Sequence, residues 1–179
     1  MRHPARWIAA AVATVVVVLG VVFALNVGND PTAPQASPLL DKAVPPFELA
    51  TLDGSTVSSE SLAGKTVIVN FWNTWCTPCH AELPALKEFW DAHSTDGDVE
   101  MVGIVRDDTT RRVRSYVGEQ GIDWTIALDP GSRAALDFAT RGQPETFAIS
   151  PSGRVVGSQL SEMSVAGLEA MLDVARRTG

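Results

Sequence analysis

The sequence predicts an α/β sandwich built on a mixed central sheet, and three features of the 179-residue chain carry that prediction. Two continuous apolar runs, Thr66–Trp72 and Val99–Val105, are rich in β-branched and aromatic residues, as expected of strands covered on both faces. Between them, residues 79–90 repeat apolar side chains at helical spacing. Strand, helix and strand then form a right-handed parallel crossover. Toward the C-terminus the order becomes strand, turn, strand and helix, which adds antiparallel neighbours to the sheet.

The elements follow in chain order. Residues 46–52 alternate weakly and meet Asp53-Gly54, a hairpin signal, before Ser55-Thr56-Val57. This hairpin precedes the first buried strand as an N-terminal extension. In the helix after that strand, Leu83, Leu86, Phe89 and Trp90 point toward the core, and Pro84 is expected to kink it by removing one ladder bond. Residues 109–120 read as a helix ended by Gly121. Residues 124–128 read as a short strand, and residues 132–138 as a short helix with Ser132 as N-cap. Residues 145–150, the turn Pro151-Ser152-Gly153 and residues 154–158 form a second hairpin. Val165, Leu168, Met171, Leu172 and Ala175 mark a closing amphipathic helix over residues 164–177.

Upstream of the hairpin, residues 8–25 carry no charge and are rich in Val and Ala. As a helix they reach about 27 Å, close to the hydrocarbon thickness of a bilayer. Arg2 and Arg6 precede this run, and the first basic residue after it is Lys42. The positive-inside rule therefore puts the N-terminus in the cytoplasm and the remainder outside, on a single-pass anchor. A cleaved signal peptide is the alternative, but the small-residue match Val22-Phe23-Ala24 lies inside the apolar run. Three segments result: residues 1–27 as cytoplasmic tail and transmembrane anchor, 28–41 as a Pro-rich flexible linker, and 42–179 as the working domain.

The chain carries a net charge of −7, and setting aside Arg2 and Arg6 leaves −9, which argues against a nucleic-acid partner. Arg106, Arg111, Arg112 and Arg114 interleave with Asp107 and Asp108 and read as a solvated helix start.

The only two cysteines lie in Trp75-Cys76-Thr77-Pro78-Cys79, directly after the first buried strand. Cysteines three apart at a helix start sit on neighbouring turns, so their sulfurs can join or part with little backbone motion. Unpaired helix N–H groups and the dipole favour an anion at the first of them, which lowers its pKa toward the reactive thiolate. Pro78 falls within the first turn, where its missing N–H costs little. Half a zinc site is a competing reading, but there is no second Cys pair, and His80 and His93 lack ligand spacing. A purely structural disulfide is another, although so short a loop makes a poor staple. The pattern points to thiol–disulfide redox chemistry, with the cysteine pair itself as the redox group and no further cofactor or metal.

These motifs, taken in order, resemble the thioredoxin superfamily, and more narrowly its membrane-tethered extracytoplasmic TlpA, ResA and CcmG/DsbE group. The resemblance runs from Val44 to the C-terminus. Its carriers are Val44-Pro45-Pro46-Phe47, Leu52-Asp53-Gly54, Gly64-Lys65 to Phe71-Trp72, the Trp75–Cys79 motif, Glu82-Leu83-Pro84 and Gly142-Gln143-Pro144-Glu145-Thr146-Phe147.

The resemblance implies a thioredoxin-like three-layer sandwich, with Cys76 as exposed nucleophile and Cys79 as buried resolving thiol. Pro144 becomes a cis-proline against the disulfide, with the backbone of Gln143 pairing with a substrate segment. Trp75, Thr77 and Pro78 complete the substrate contact. Glu82 and Glu145 are the two carboxylates that could take a proton from Cys79; for each the alternative is a solvated surface acid. The implied partners are exported protein thiols or disulfides, apocytochrome c among them, and a membrane electron-transfer protein of the CcdA/DsbD kind. A reductant role in cytochrome c maturation competes with an oxidant that forms disulfides. A thiol peroxidase is disfavoured because Asn73-Thr74-Trp75 does not supply the proline such a cysteine needs. A tethered copper-binding module is disfavoured by the missing distal histidine.

Overall fold

The computed structural model describes residues 7, 12–21 and 37–179. The chain divides into two compact units, Met1–Gln35 and Ala36–Gly179. In the first, residues 12–21 are helical. Among the described residues no helix is long and apolar enough to cross a membrane. Residues 8–11 and 22–25 of the expected span, and most of the linker, lie outside the described residues. Residues 37–41, expected as linker, pack onto the second unit: Ser37 is buried, and the Asp41 amide donates to the Val155 carbonyl at 2.8 Å.

The second unit holds two sheets. Strands β1 (Glu48–Ala50) and β2 (Thr56–Ser58) form the expected hairpin, shorter than the sequence suggests. The main sheet contains β3 (Thr66–Trp72), β4 (Val99–Val105), β5 (Thr125–Leu128), β6 (Glu145–Ile149) and β7 (Val155–Leu160), in the order β5-β4-β3-β6-β7. The β3–β4 and β4–β5 pairs are parallel, while β3–β6 and β6–β7 are antiparallel. The helices are α1 (Thr77–His93), α2 (Thr110–Gln120), α3 (Arg133–Asp137) and α4 (Val165–Arg177). This is the thioredoxin-like mixed sandwich.

All seven residues of β3 are buried, so its period-2 alternation divides the interior. Ile68 and Trp72 join Cys76, Cys79, Leu83, Leu86, Phe89, Leu168 and Leu172 in one core, under α1 and α4. Val67, Val69 and Phe71 join Phe47, Ala134, Phe138 and Phe147 in the other, under α3 and the hairpin. In that second core Phe71, Phe138 and Phe147 meet edge to face, with ring centroids 5.2, 5.3 and 5.9 Å apart. Each such pair adds about 0.5–1.5 kcal/mol beyond burial.

Helix α1 stays α-helical through Pro84, which lies on its exposed side. Trp90 is half-buried and packs against the core under α1 and α4, as expected. Gly121 ends α2 in the left-handed region, at φ 62°. The cap of α3 differs from expectation. Ser132 makes no side-chain cap bond, and its hydroxyl donates to the Arg106 carbonyl instead. The buried carboxylate of Asp129 takes over, accepting the Ala134 and Ala135 amides at 3.1 and 2.9 Å. A carboxylate three residues upstream reaches two orphan donors, whereas one hydroxyl reaches a single one.

Candidate active site

The central strand β3 ends at Trp72, and Cys76 caps the helix that follows. Cys76 and Cys79 are joined in a disulfide with Cα atoms 5.3 Å apart. The Cys79 amide donates to Cys76 Sγ at 3.2 Å, so an unpaired donor of the first helical turn points at that sulfur. Exposure does not separate the two residues as expected: Cys76 is 3% exposed and Cys79 5%. The asymmetry lies instead in which sulfur receives the helix N–H. Thr77 and Pro78 are both exposed beside the disulfide.

The Gln143–Pro144 peptide bond is cis. Pro144 is buried, Gln143 is half-buried, and the Pro144 carbonyl accepts the Ser161 amide at 3.0 Å. Trp75 is 54% exposed, yet its indole N–H donates to the Asp107 carbonyl at 2.8 Å, which ties the ring to the 106–108 segment.

Glu82 and Glu145 are both buried, at 1% and 0% exposure, so neither is a surface acid. Glu82 projects from α1 onto the face that carries the cysteines. Its Oε1 accepts Asn70 Nδ2 at 2.8 Å and its Oε2 accepts the Met163 amide at 2.9 Å. Burial raises its pKa to about 7, against the opposing effect of those two hydrogen bonds. Asn70 also lines a small cavity with Trp72, Cys79, Leu83, Tyr116 and Trp124, which puts Glu82's hydrogen-bond partner beside the second cysteine.

Glu145 belongs to the opposite face. It alternates with Thr146, whose hydroxyl accepts from Asn70 on the cysteine side, and shares the register of Phe147 and Ile149 in the α3 core. Its carboxylate accepts the Arg141 amide at 2.8 Å and pairs with the Arg141 guanidinium at 2.9 Å. The structure thus brings Glu82, and not Glu145, to the thiol side of the sheet.

Several residues not expected at the site complete it. Asn73 is fully buried and accepts the Arg106 and Asp107 amides, while Asp108 accepts from Thr74. The backbone of segment 106–108 is therefore docked on the active-site loop with Arg106 and Asp108 half-buried, while Asp107, Arg111, Arg112 and Arg114 are exposed as expected. Among the described residues no group of three or more His, Cys, Asp or Glu could hold a metal ion.

A family model described as Redoxin matches residues 38–172. The chain belongs to the Redoxin family. The thiol-disulfide oxidoreductase ResA of Bacillus anthracis is 31% identical over 133 residues, 74% of this chain and 76% of that protein. The thiol:disulfide interchange protein HelX of Rhodobacter capsulatus is 33% identical over 131 residues, 72% of this chain and 71% of that protein. A solved thiol:disulfide interchange protein of the thioredoxin family from Chlorobium tepidum superposes with a TM-score of 0.65 at 30% identity, over 82% of this chain and 99% of that one. With that support, this redoxin is a protein thiol-disulfide oxidoreductase of the ResA type.

Proposed function

We propose that this redoxin works outside the cytoplasm, tethered through residues 8–25, and reduces exported protein disulfides through Cys76 and Cys79. In the reduced protein the Cys76 thiolate attacks a substrate disulfide, forms a mixed disulfide and expels one substrate thiolate. Cys79 then gives up its proton, and its thiolate attacks Cys76 Sγ. The internal disulfide closes and the second substrate thiolate leaves, so two electrons pass to the substrate and each departing thiolate takes a proton. The two cysteines carry both electrons, so the step calls for no bound cofactor. Apocytochrome c cysteines awaiting haem attachment are the proposed substrate, and a membrane protein of the CcdA/DsbD kind is the proposed source of electrons. The backbone of Gln143 beside Pro144, with Trp75, Thr77 and Pro78, offers the contact for the substrate segment.

The observation that carries this reading is the unequal provision for the two sulfurs. Cys76 Sγ receives a helix N–H, while Cys79 lies on the same face as a carboxyl group with a pKa of about 7. Such a group accepts a proton near neutral pH, as a general base for resolution should. Replacing Cys79 by Ser should trap mixed disulfides with substrates. If Cys76→Ser traps them and Cys79→Ser does not, the roles are reversed.

An oxidant is the second reading, favoured by the Cys79 N–H on Cys76 Sγ, since thiolate stabilisation favours the reduced form. A buried carboxylate on the same face opposes thiolates and favours the reductant. The potential at equilibrium with glutathione separates the two: the reductant lies closer to about −270 mV than to about −120 mV, and the oxidant the reverse.

A further inference from the structure

The segment that delivers Cys76 is held by side chains and backbone far from it in sequence. Thr74 Oγ1 donates to Asp108 Oδ2 at 2.6 Å, and the Thr74 amide donates to the same oxygen at 2.9 Å. The other oxygen of Asp108 accepts the Thr109 amide at 2.7 Å, which anchors the carboxylate at the start of α2. The Thr74 carbonyl faces His80 Nε2 at 2.8 Å; a carbonyl only accepts, so Nε2 carries the hydrogen. The His80 ring is stacked on Tyr116 of α2, with centroids 5.1 Å apart. On either side of Thr74, the buried Asn73 accepts from the backbone of Arg106 and Asp107, and Trp75 donates to the Asp107 carbonyl. All three polar groups of Thr74 are thus taken, two of them by one carboxylate.

We propose that Asp108 is a positioning residue for disulfide exchange: through Thr74 it fixes the loop so that Cys76 Sγ stays over the N-terminus of α1 once the disulfide opens. This deepens the reading of Cys76 as nucleophile and rests on it. In the oxidised protein the bond to Cys79 holds that sulfur in place. In the reduced protein the bond is gone, and the loop anchors keep the sulfur beside the Cys79 N–H. A displacement on the scale of an ångström costs such a site up to about a hundredfold in rate.

Two roles for Asp108 predict opposite results. If its negative charge acted through space on the Cys76 thiolate, removing it would speed reaction at Cys76. If it positions the loop, removing it slows that reaction. The test is the alkylation rate of Cys76 with iodoacetamide at pH 7, in the full-length reduced protein. Asp108→Ala should slow it about tenfold. Thr74→Val, which keeps all charges and removes one of the two bonds, should slow it less, and Thr74→Ser should restore it. Thermal unfolding shows whether each variant is folded. If Asp108→Ala does not fold, the contrast between Thr74→Val and Thr74→Ser decides. An unchanged or faster rate in folded Asp108→Ala overturns the proposal, as does Thr74→Val equal to wild type. Alkylation involves no substrate protein, so a wild type inactive in exchange would count against the proposed function while leaving this test intact.

Discussion

Two buried carboxylates on opposite faces of one sheet show how a partner's charge decides a residue's use. On the α3 face, Glu145 meets the guanidinium and amide of Arg141, so its negative charge is matched where it stands. On the α1 face, Glu82 meets only neutral donors, the Asn70 side chain and the Met163 amide. Burial therefore lifts Glu82 to about 7 and makes its proton exchangeable at neutral pH. Glu145 is built to brace the loop behind the cis-proline. Glu82, on the same side as Cys79, has the raised pKa that suits the proton exchange proposed for it.

The largest expected effect concerns the pH dependence of folding. Glu82 binds its proton more tightly when folded than in an unfolded chain, where its pKa is 4.5. Its contribution to stability is fully present below pH 4.5 and lost as pH rises through about 7. The loss amounts to about 3 kcal/mol across that window. Denaturant unfolding at a series of pH values should show this slope in wild type and its absence in Glu82→Gln; an equal slope in both would place Glu82 among ordinary acids.

Glu145→Gln should act differently, lowering stability at pH 7 by about 2 kcal/mol because a guanidinium is left facing a neutral amide. The half-open position of Arg141, with its side chain 31% exposed, keeps this below the cost of a sealed ion pair. Stability at pH 7 unchanged in Glu145→Gln would contradict the bracing pair with Arg141. A smaller effect follows from Asn70→Ala, which removes one donor that favours the charged form of Glu82. Its titration midpoint should move upward from about 7, read by the same unfolding series.

The smallest effect comes from the far end of α1. His93 Nδ1 and Nε2 face Asp96 and Glu169 at 2.8 and 3.0 Å. Burial opposes the charged ring, but the two carboxylates prevail and raise its pKa above 6.5. The stability it contributes is fully present below pH 6.5 and lost as pH rises through the folded value. His93→Gln should remove only this upper part of the pH profile and leave the Glu82 slope intact.

Much of the fold was legible because it rests on local periodicity. The runs Thr66–Trp72 and Val99–Val105 mark their strands to the residue, since a strand covered on both faces admits few polar side chains. The cysteine pair was legible as chemistry because its spacing and its place at a helix start are sequence features. What escaped were contacts between residues far apart in the chain. Asn70 looks like an interruption in an apolar strand until Glu82 and Thr146, 12 and 76 residues away, close around it. Asp108 looks like one acid among arginines until the parallel crossover lays it against Thr74. The separate faces of Glu82 and Glu145 follow from the side of the sheet on which α1 packs and from the register of β6, which nothing near either residue in sequence fixes.

The rate at which Cys79 resolves a mixed disulfide on Cys76, followed against pH in wild type and Glu82→Gln, tests the account most directly. A Glu82 that takes the Cys79 proton gives wild type an inflection near pH 7, which is lost in Glu82→Gln and kept in Glu145→Gln. An inflection unchanged in Glu82→Gln would contradict the assignment of Glu82 as the base.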